Sequence, residues 1–149
     1  AARLLEAMGG DVVLVDGPDL PQRVAEATGK AKIRLGVDAT GGSATDRIAR
    51  SVAVGGTVVN YGAMSRDACK VAPASFVFRD VTLRGFWLVF WFRNSTLAQQ
   101  GALYGELVRL IADGALSAPV QATYPLSRIK EAVAAAASGG RSGKIILVP

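Results

Sequence analysis

Apolar positions along this chain come in short unbroken runs and in stretches of helical spacing, separated by glycine-rich punctuation. Leu4, Leu5 and Met8 recur at intervals of three and four before Gly9-Gly10, so residues 1–8 read as the end of a helix. Asp11-Val12-Val13-Leu14-Val15 is a continuous run of the length of a buried parallel strand. Asp16-Gly17-Pro18-Asp19 then turns the chain into a helix ending at Gly29, and Ile33 to Val37 is the next buried strand. Ser43-Ala44-Thr45-Asp46 has the spacing of a capping box and predicts a helix with the apolar face Ile48, Ala49 and Val52, closed by Gly55-Gly56. Thr57 to Tyr61 follows as a strand.

Beyond a loop from Met64 to Pro73, Val81 to Leu88 is expected as a further strand. Asn94 or Ser95 is expected to cap a long helix through Ala112 with the stripe Leu97, Tyr104, Leu107, Val108 and Ile111. Gly114 stops it, Val120 to Tyr124 is a short strand, Ser127 to Ser138 an alanine-rich helix, and Lys144 to Val148 a final strand. This alternation with short connections predicts an α/β fold on a doubly wound, parallel sheet, where ligands sit beyond the carboxyl ends of the strands. Thr40-Gly41-Gly42 and Tyr61-Gly62-Ala63-Met64 both fall at such ends.

Composition narrows the chemistry. The 149 residues are 50% hydrophobic, enough for a sizeable core, and the net charge of +5 comes from 17 basic and 12 acidic residues without a basic run. Nucleic acid is therefore not an expected partner; a phosphorylated cofactor or acidic thioester fits the excess, as does a mildly basic solvated surface. Cys69 is the only cysteine and histidine is absent, so no intrachain disulfide and no metal residues are expected. No apolar stretch is of membrane-spanning length and no signal-type start is visible, so a cytoplasmic protein away from the membrane is expected. The start at Ala, not Met, reads as that of a piece of something longer.

Four segments occur in order: Val37-Asp38-Ala39-Thr40-Gly41-Gly42, Gly55-Gly56-Thr57-Val58-Val59-Asn60-Tyr61-Gly62-Ala63-Met64, Phe78-Arg79-Asp80-Val81-Thr82-Leu83-Arg84-Gly85-Phe86-Trp87-Leu88, and Ser142-Gly143-Lys144-Ile145-Ile146-Leu147. Together they resemble the C-terminal half of the medium-chain dehydrogenase/reductase superfamily, most closely its 2-enoyl thioester (enoyl-CoA/ACP) reductases. The resemblance implies part of a Rossmann-type nucleotide-binding domain over residues 1–118 and a C-terminal α/β return segment, 119–149, leading to a catalytic domain outside this chain. It implies NADPH as cofactor, with Tyr61, Gly62, Ala63 and Met64 against it, the backbone of Phe86, Trp87 and Leu88 at the nicotinamide carboxamide, and Lys144 as a further contact. The implied parent is a zinc-independent oxidoreductase of fatty acid metabolism, reducing the C=C bond of an enoyl thioester. A quinone or enone reductase of the same superfamily is the alternative. In the family the strand matching 81–88 pairs with its two-fold mate, which implies a homodimer.

Two departures stand out. Ala63 occupies a position where close relatives carry a second glycine, tolerable unless that residue needs φ > 0. No Gly-x-Gly-x-x-Gly strand-to-helix turn precedes the matched segments. The family's proton-donating tyrosine lies in its N-terminal domain, so that role is not assigned to Tyr61, Tyr104 or Tyr124. No catalytic residue is expected in this chain, and the chain alone is expected to be inactive.

Each candidate also has a plainer reading. Phe86 and Trp87 suit core aromatics of an edge strand, Trp91 and Phe92 suit packing or an interface, and Tyr61-Gly62 suits a mere strand end. Lys144 suits a solvated charge. Cys69 beside Lys70 is a reactive thiol or an incidental one. Asp38 at a strand end is placed for chemistry, yet an Asp before a turn commonly accepts from the local backbone. A rival class is a non-catalytic association module built on the 81–88 edge strand.

Overall fold

In the computed structural model, which describes residues 2–149, the chain forms two units, the first running through Asn94 and the second spanning Ser95–Pro149. Parallel strands with helical connections bear out the α/β expectation.

The first unit opens with α1 (Ala2–Ala7) and α2 (Leu20–Ala27). It then alternates β1 (Leu35–Asp38), α3 (Ser43–Ser51), β2 (Thr57–Asn60), α4 (Pro73–Val77), β3 (Thr82–Gly85) and α5 (Leu88–Asn94). The three strands form one parallel sheet in the order β1-β2-β3, with Asp38 opposite Asn60 and Asn60 opposite Gly85 at its carboxyl end. Its core is Ala49 of α3, Val52 just after it, Val58 of β2 and Val81, with Ile33, Ile48, Val71 and Leu83 packed around them. The expected face Ile48, Ala49 and Val52 is thus the one that covers the sheet.

Gly36 of β1 is what lets α3 lie so close, because a Cβ there would stand 2.3 Å from Ile48 Cγ2. The far end of α3 is held by Arg79, whose guanidinium donates to the carbonyls of Ala49, Arg50 and Val52. A cation at a helix C-terminus satisfies orphan carbonyls and complements the helix dipole. The adjacent Asp80 has φ 51°, a left-handed turn that delivers the chain into β3.

Four local expectations are corrected. Asp11–Val15 forms no strand; its run of apolar residues matches strand length, but no described strand pairs with it. Its carboxyl end is instead tied by side chains: Arg23 donates to the Val15 carbonyl at 2.8 Å, and Arg47 grips Asp16 through two nitrogens at 2.6 and 2.5 Å. Ser43 does not cap α3. The N-cap is Gly42, while the Ser43 hydroxyl accepts from Arg47 and the Asp46 carboxylate accepts from the Ala72 amide.

The expected strand 81–88 is shorter. Val81 is a core residue, pairing covers only Thr82–Gly85, and the apolar run from Leu88 is helical. The ladder stops because β2 stops at Asn60, and the Phe86 amide makes the last bond, 2.8 Å to the Asn60 carbonyl. The cap expected at Asn94 or Ser95 is Thr96, which completes a capping box with Gln99.

The second unit begins with α6 (Leu97–Ala112), followed by β4 (Val120–Pro125), a 3-10 turn (Leu126–Arg128), α7 (Ile129–Ala137) and β5 (Lys144–Val148). β4 and β5 pair in parallel, with a register irregularity between Val120 and Ala122. Ala132 of α7 is buried, and Arg128 lies 5.4 Å from the Tyr124 ring centre. Leu97, Tyr104, Val108 and Ile111 of the expected α6 stripe are exposed in this unit.

Replacing Arg79 by Ala is expected to destabilise the protein by about 1–3 kcal/mol, since three carbonyls lose a charged donor. Arg79→Lys is expected to recover part of that. Urea unfolding midpoints of the three proteins measure it, and an unchanged midpoint for Arg79→Ala contradicts the role.

Candidate functional site

The carboxyl ends of β1 and β2 are locked by one buried carboxylate. Asp38 is 1% exposed. Its Oδ1 accepts the amides of Thr40 (2.7 Å) and Gly41 (3.0 Å), and its Oδ2 accepts the Thr45 hydroxyl (2.7 Å) and the Asn60 amide nitrogen (3.2 Å). Of the two readings for Asp38, the structure supports the local backbone acceptor. Burial pushes its carboxyl pKa up, but the bonds from Thr45, Gly41, Thr40 and Asn60 outweigh this and hold it below the ordinary aspartate value.

These bonds shape the turn Thr40-Gly41-Gly42, where both glycines have positive φ, 78° and 62°. The turn in turn anchors the loop that leaves β2. The Tyr61 amide donates to the Asp38 carbonyl, Met64 to Ala39, and Ser65 to Thr40 through both amide and hydroxyl. Gly62 passes so close to β1 that a Cβ would stand 2.6 Å from the Ala39 carbonyl oxygen, so only glycine fits without moving backbone. Ala63 is not among the positive-φ residues, so its methyl carries no left-handed strain.

Seven of the eight residues implied for the cofactor lie in the first unit. Tyr61 to Met64 leave the end of β2, and Phe86, Trp87 and Leu88 leave the end of the neighbouring β3. The Phe86-to-Asn60 hydrogen bond joins the two segments. Tyr61, Met64, Phe86, Trp87 and Leu88 are all exposed, and Trp87 stacks edge-on against Phe90 with ring centres 4.8 Å apart. An apolar surface beyond the carboxyl ends of parallel strands is where an α/β fold takes a flat ring. Leu88 opens α5 instead of ending a strand.

The eighth, Lys144, starts β5 in the second unit. There it lines a cavity of about 300 Å³ with Pro119, Arg141, Ser142 and Gly143. Trp91 and Phe92 pair with ring centres 5.2 Å apart within α5. Cys69 is exposed, near the Gly41 turn. Asn60 and Thr45 escaped the sequence reading; the available signal was that a polar residue ends β2 directly opposite the polar end of β1.

The family model described as zinc-binding dehydrogenase matches residues 3–147. The chain belongs to that family. Its resemblance to the medium-chain reductases is thereby borne out. Among relatives, the mitochondrial enoyl-[acyl-carrier-protein] reductase of Mus musculus is 31% identical over 144 residues, covering 96% of this chain and 39% of that protein. This chain therefore spans about two fifths of that relative's length. A solved mycobacterial quinone oxidoreductase superposes with TM-score 0.83 at 28% identity, over 99% of this chain and 46% of that one. A solved Etr1p mutant in complex with NADP and crotonyl-CoA superposes with TM-score 0.66 over 83% of this chain and 36% of that one; at 20% identity it speaks for the fold alone.

Zinc, which the family description implies, does not fit these residues. Among the described residues no three His, Cys, Asp or Glu side chains gather to hold a metal, and the sequence has no histidine. Among the described residues no helix is long and apolar enough to cross a membrane.

Asp38 gives a pH signature. Because its folded-state pKa is lowered, its contribution to stability is fully present above the unfolded value, near 3.8, and is lost as pH falls through the lower folded value. Asp38→Asn is expected to cost about 1–3 kcal/mol at pH 7, and to flatten the fall in stability below pH 4. Unfolding curves from pH 2 to 7 test this, and parallel pH profiles for both proteins contradict it.

Proposed function

We propose that this chain forms the nicotinamide side of an NADPH-dependent reductase that reduces the C=C bond of 2-enoyl thioesters. The observation that carries the reading is the placement of Tyr61–Met64 and Phe86–Leu88 at adjacent strand ends joined by the Phe86-to-Asn60 bond, with five exposed apolar side chains on the two segments. The fit to a nicotinamide is chemical: aromatic and aliphatic surface for the ring, backbone amides and carbonyls for the carboxamide. NADPH, when bound, supplies the hydride.

The chain's own share is positioning. Tyr61, Gly62, Ala63 and Met64 wall one side of the ring, and the backbone of Phe86, Trp87 and Leu88 fixes the carboxamide. Lys144 is a further cofactor contact, and residues 119–149 return to a catalytic domain that provides the proton donor. The 149 residues alone are accordingly expected to turn over no substrate. A cytoplasmic setting and a place in fatty acid metabolism belong to the same reading, although the mouse relative is mitochondrial by name. Homodimerisation belongs to it as well, since β3 ends the sheet order and offers an open edge to a two-fold mate.

A quinone as acceptor is the second reading, favoured by the superposition on the mycobacterial quinone oxidoreductase. The whole protein assayed with NADPH and either crotonyl thioester or a benzoquinone separates the two. Trp87→Ala is expected to raise the cofactor KM about 5- to 150-fold, the equivalent of losing about 1–3 kcal/mol of aromatic contact. Trp91→Ala, outside the matched segment, is expected to leave it nearly unchanged. Equal KM values for the two variants contradict the site; NADPH oxidation with neither acceptor contradicts the reductase and favours an association module.

A further inference from the structure

The bond between the two cofactor-facing segments runs through one residue, Asn60, whose side chain and backbone do different things. Its Nδ2 donates to Asp38 Oδ2 at 3.2 Å and to the Gly62 carbonyl at 2.9 Å. Its own carbonyl accepts the Phe86 amide at 2.8 Å. The side chain thus ties the start of the Tyr61–Met64 segment to the buried carboxylate of β1, while the backbone holds the start of the Phe86–Leu88 segment.

The residue type follows from the partners. Both neighbours of Nδ2, a carboxylate and a carbonyl, can only accept, so the position needs a group with two hydrogens and the reach of one methylene. An asparagine amide has both. Aspartate has the shape without the hydrogens and would set a second carboxylate against Asp38; serine has a single hydrogen to give.

We infer that Asn60 is a positioning residue that holds the Tyr61–Met64 and Phe86–Leu88 segments in a single relative geometry, as one clamp. The importance of this clamp for the cofactor rests on the NADPH reading above, whereas the clamp itself is a property of the unliganded protein. Its rigidity comes from the network behind it. Asp38 is fixed by the Thr40 and Gly41 amides and the Thr45 hydroxyl, so the acceptor that Asn60 finds cannot swing away. The amides of Tyr61, Met64 and Ser65, all donated to β1 or the turn after it, then set the path of the wall.

Residue-resolved amide hydrogen exchange of the whole protein, with and without NADPH, tests this. In Asn60→Asp, protection at Met64, Ser65 and Phe86 is expected to fall about tenfold or more, while Val52 and Val81, bonded to Ile48 and Ser75, keep theirs. The swap Asp38→Asn with Asn60→Asp restores one donor facing one carboxylate but leaves the Gly62 carbonyl without its donor, so it is expected to recover part of the protection, which a bulk packing effect at residue 60 would not. If Asn60→Asp unfolds the protein, seen as loss at Val52 and Val81 too, Asn60→Ser is expected to show the selective loss. Unchanged protection at both Met64 and Phe86 in a folded variant, or no recovery in the swap, overturns the inference. NADPH titration separates the two layers: selective loss of protection with an unchanged Kd supports the clamp and contradicts the cofactor reading, while a Kd raised about tenfold with kcat little altered supports both.

Discussion

A buried negative charge at the end of β1 organises the first unit. An unpaired carboxylate in that position would be costly, so the chain is obliged to bring donors to Asp38, and it does so from three directions: its own following turn, α3 through Thr45, and β2 through Asn60. The four donors lie in three different elements. Satisfying one carboxylate therefore fixes the register of two strands, the entry of a helix and the exit of a loop, and the path of the exposed Tyr61–Met64 segment follows from it.

The opposite end of α3 is set by the complementary device, a cation instead of an anion. Arg79 gathers the last carbonyls of the helix and, through Asp80, starts β3. Between these charges the close approach of α3 to β1 over Gly36 leaves little slack. The aromatic segment after β3 consequently begins at a defined height beside β2, where its first amide meets Asn60.

Much of this was legible in the sequence where period and punctuation agree. The strand at Thr57, the α3 face of Ile48, Ala49 and Val52, the stop at Gly114 and the final strand from Lys144 all lie where expected. Pattern failed where partners decide. Asp11–Val15 has the composition of a strand, yet its carboxyl end is held by arginines and no described strand pairs with it. Val81 to Leu88 reads as one apolar run, although strand length is set by β2 and the remainder coils into α5. The candidate site is visible in the sequence as two strand-end motifs, while the Asp38–Asn60 contact is not, because the two residues are 22 apart and meet only through sheet register.

On the NADPH reading, the carboxyl ends of β2 and β3 receive the nicotinamide ring. A crystal structure of the whole protein with NADPH tests it most directly. The expected result has the carboxamide within hydrogen-bonding distance, about 3 Å, of the backbone of residues 86–88, and the ring against Tyr61–Met64. A nicotinamide ring bound elsewhere, with both segments open to solvent, would contradict the account.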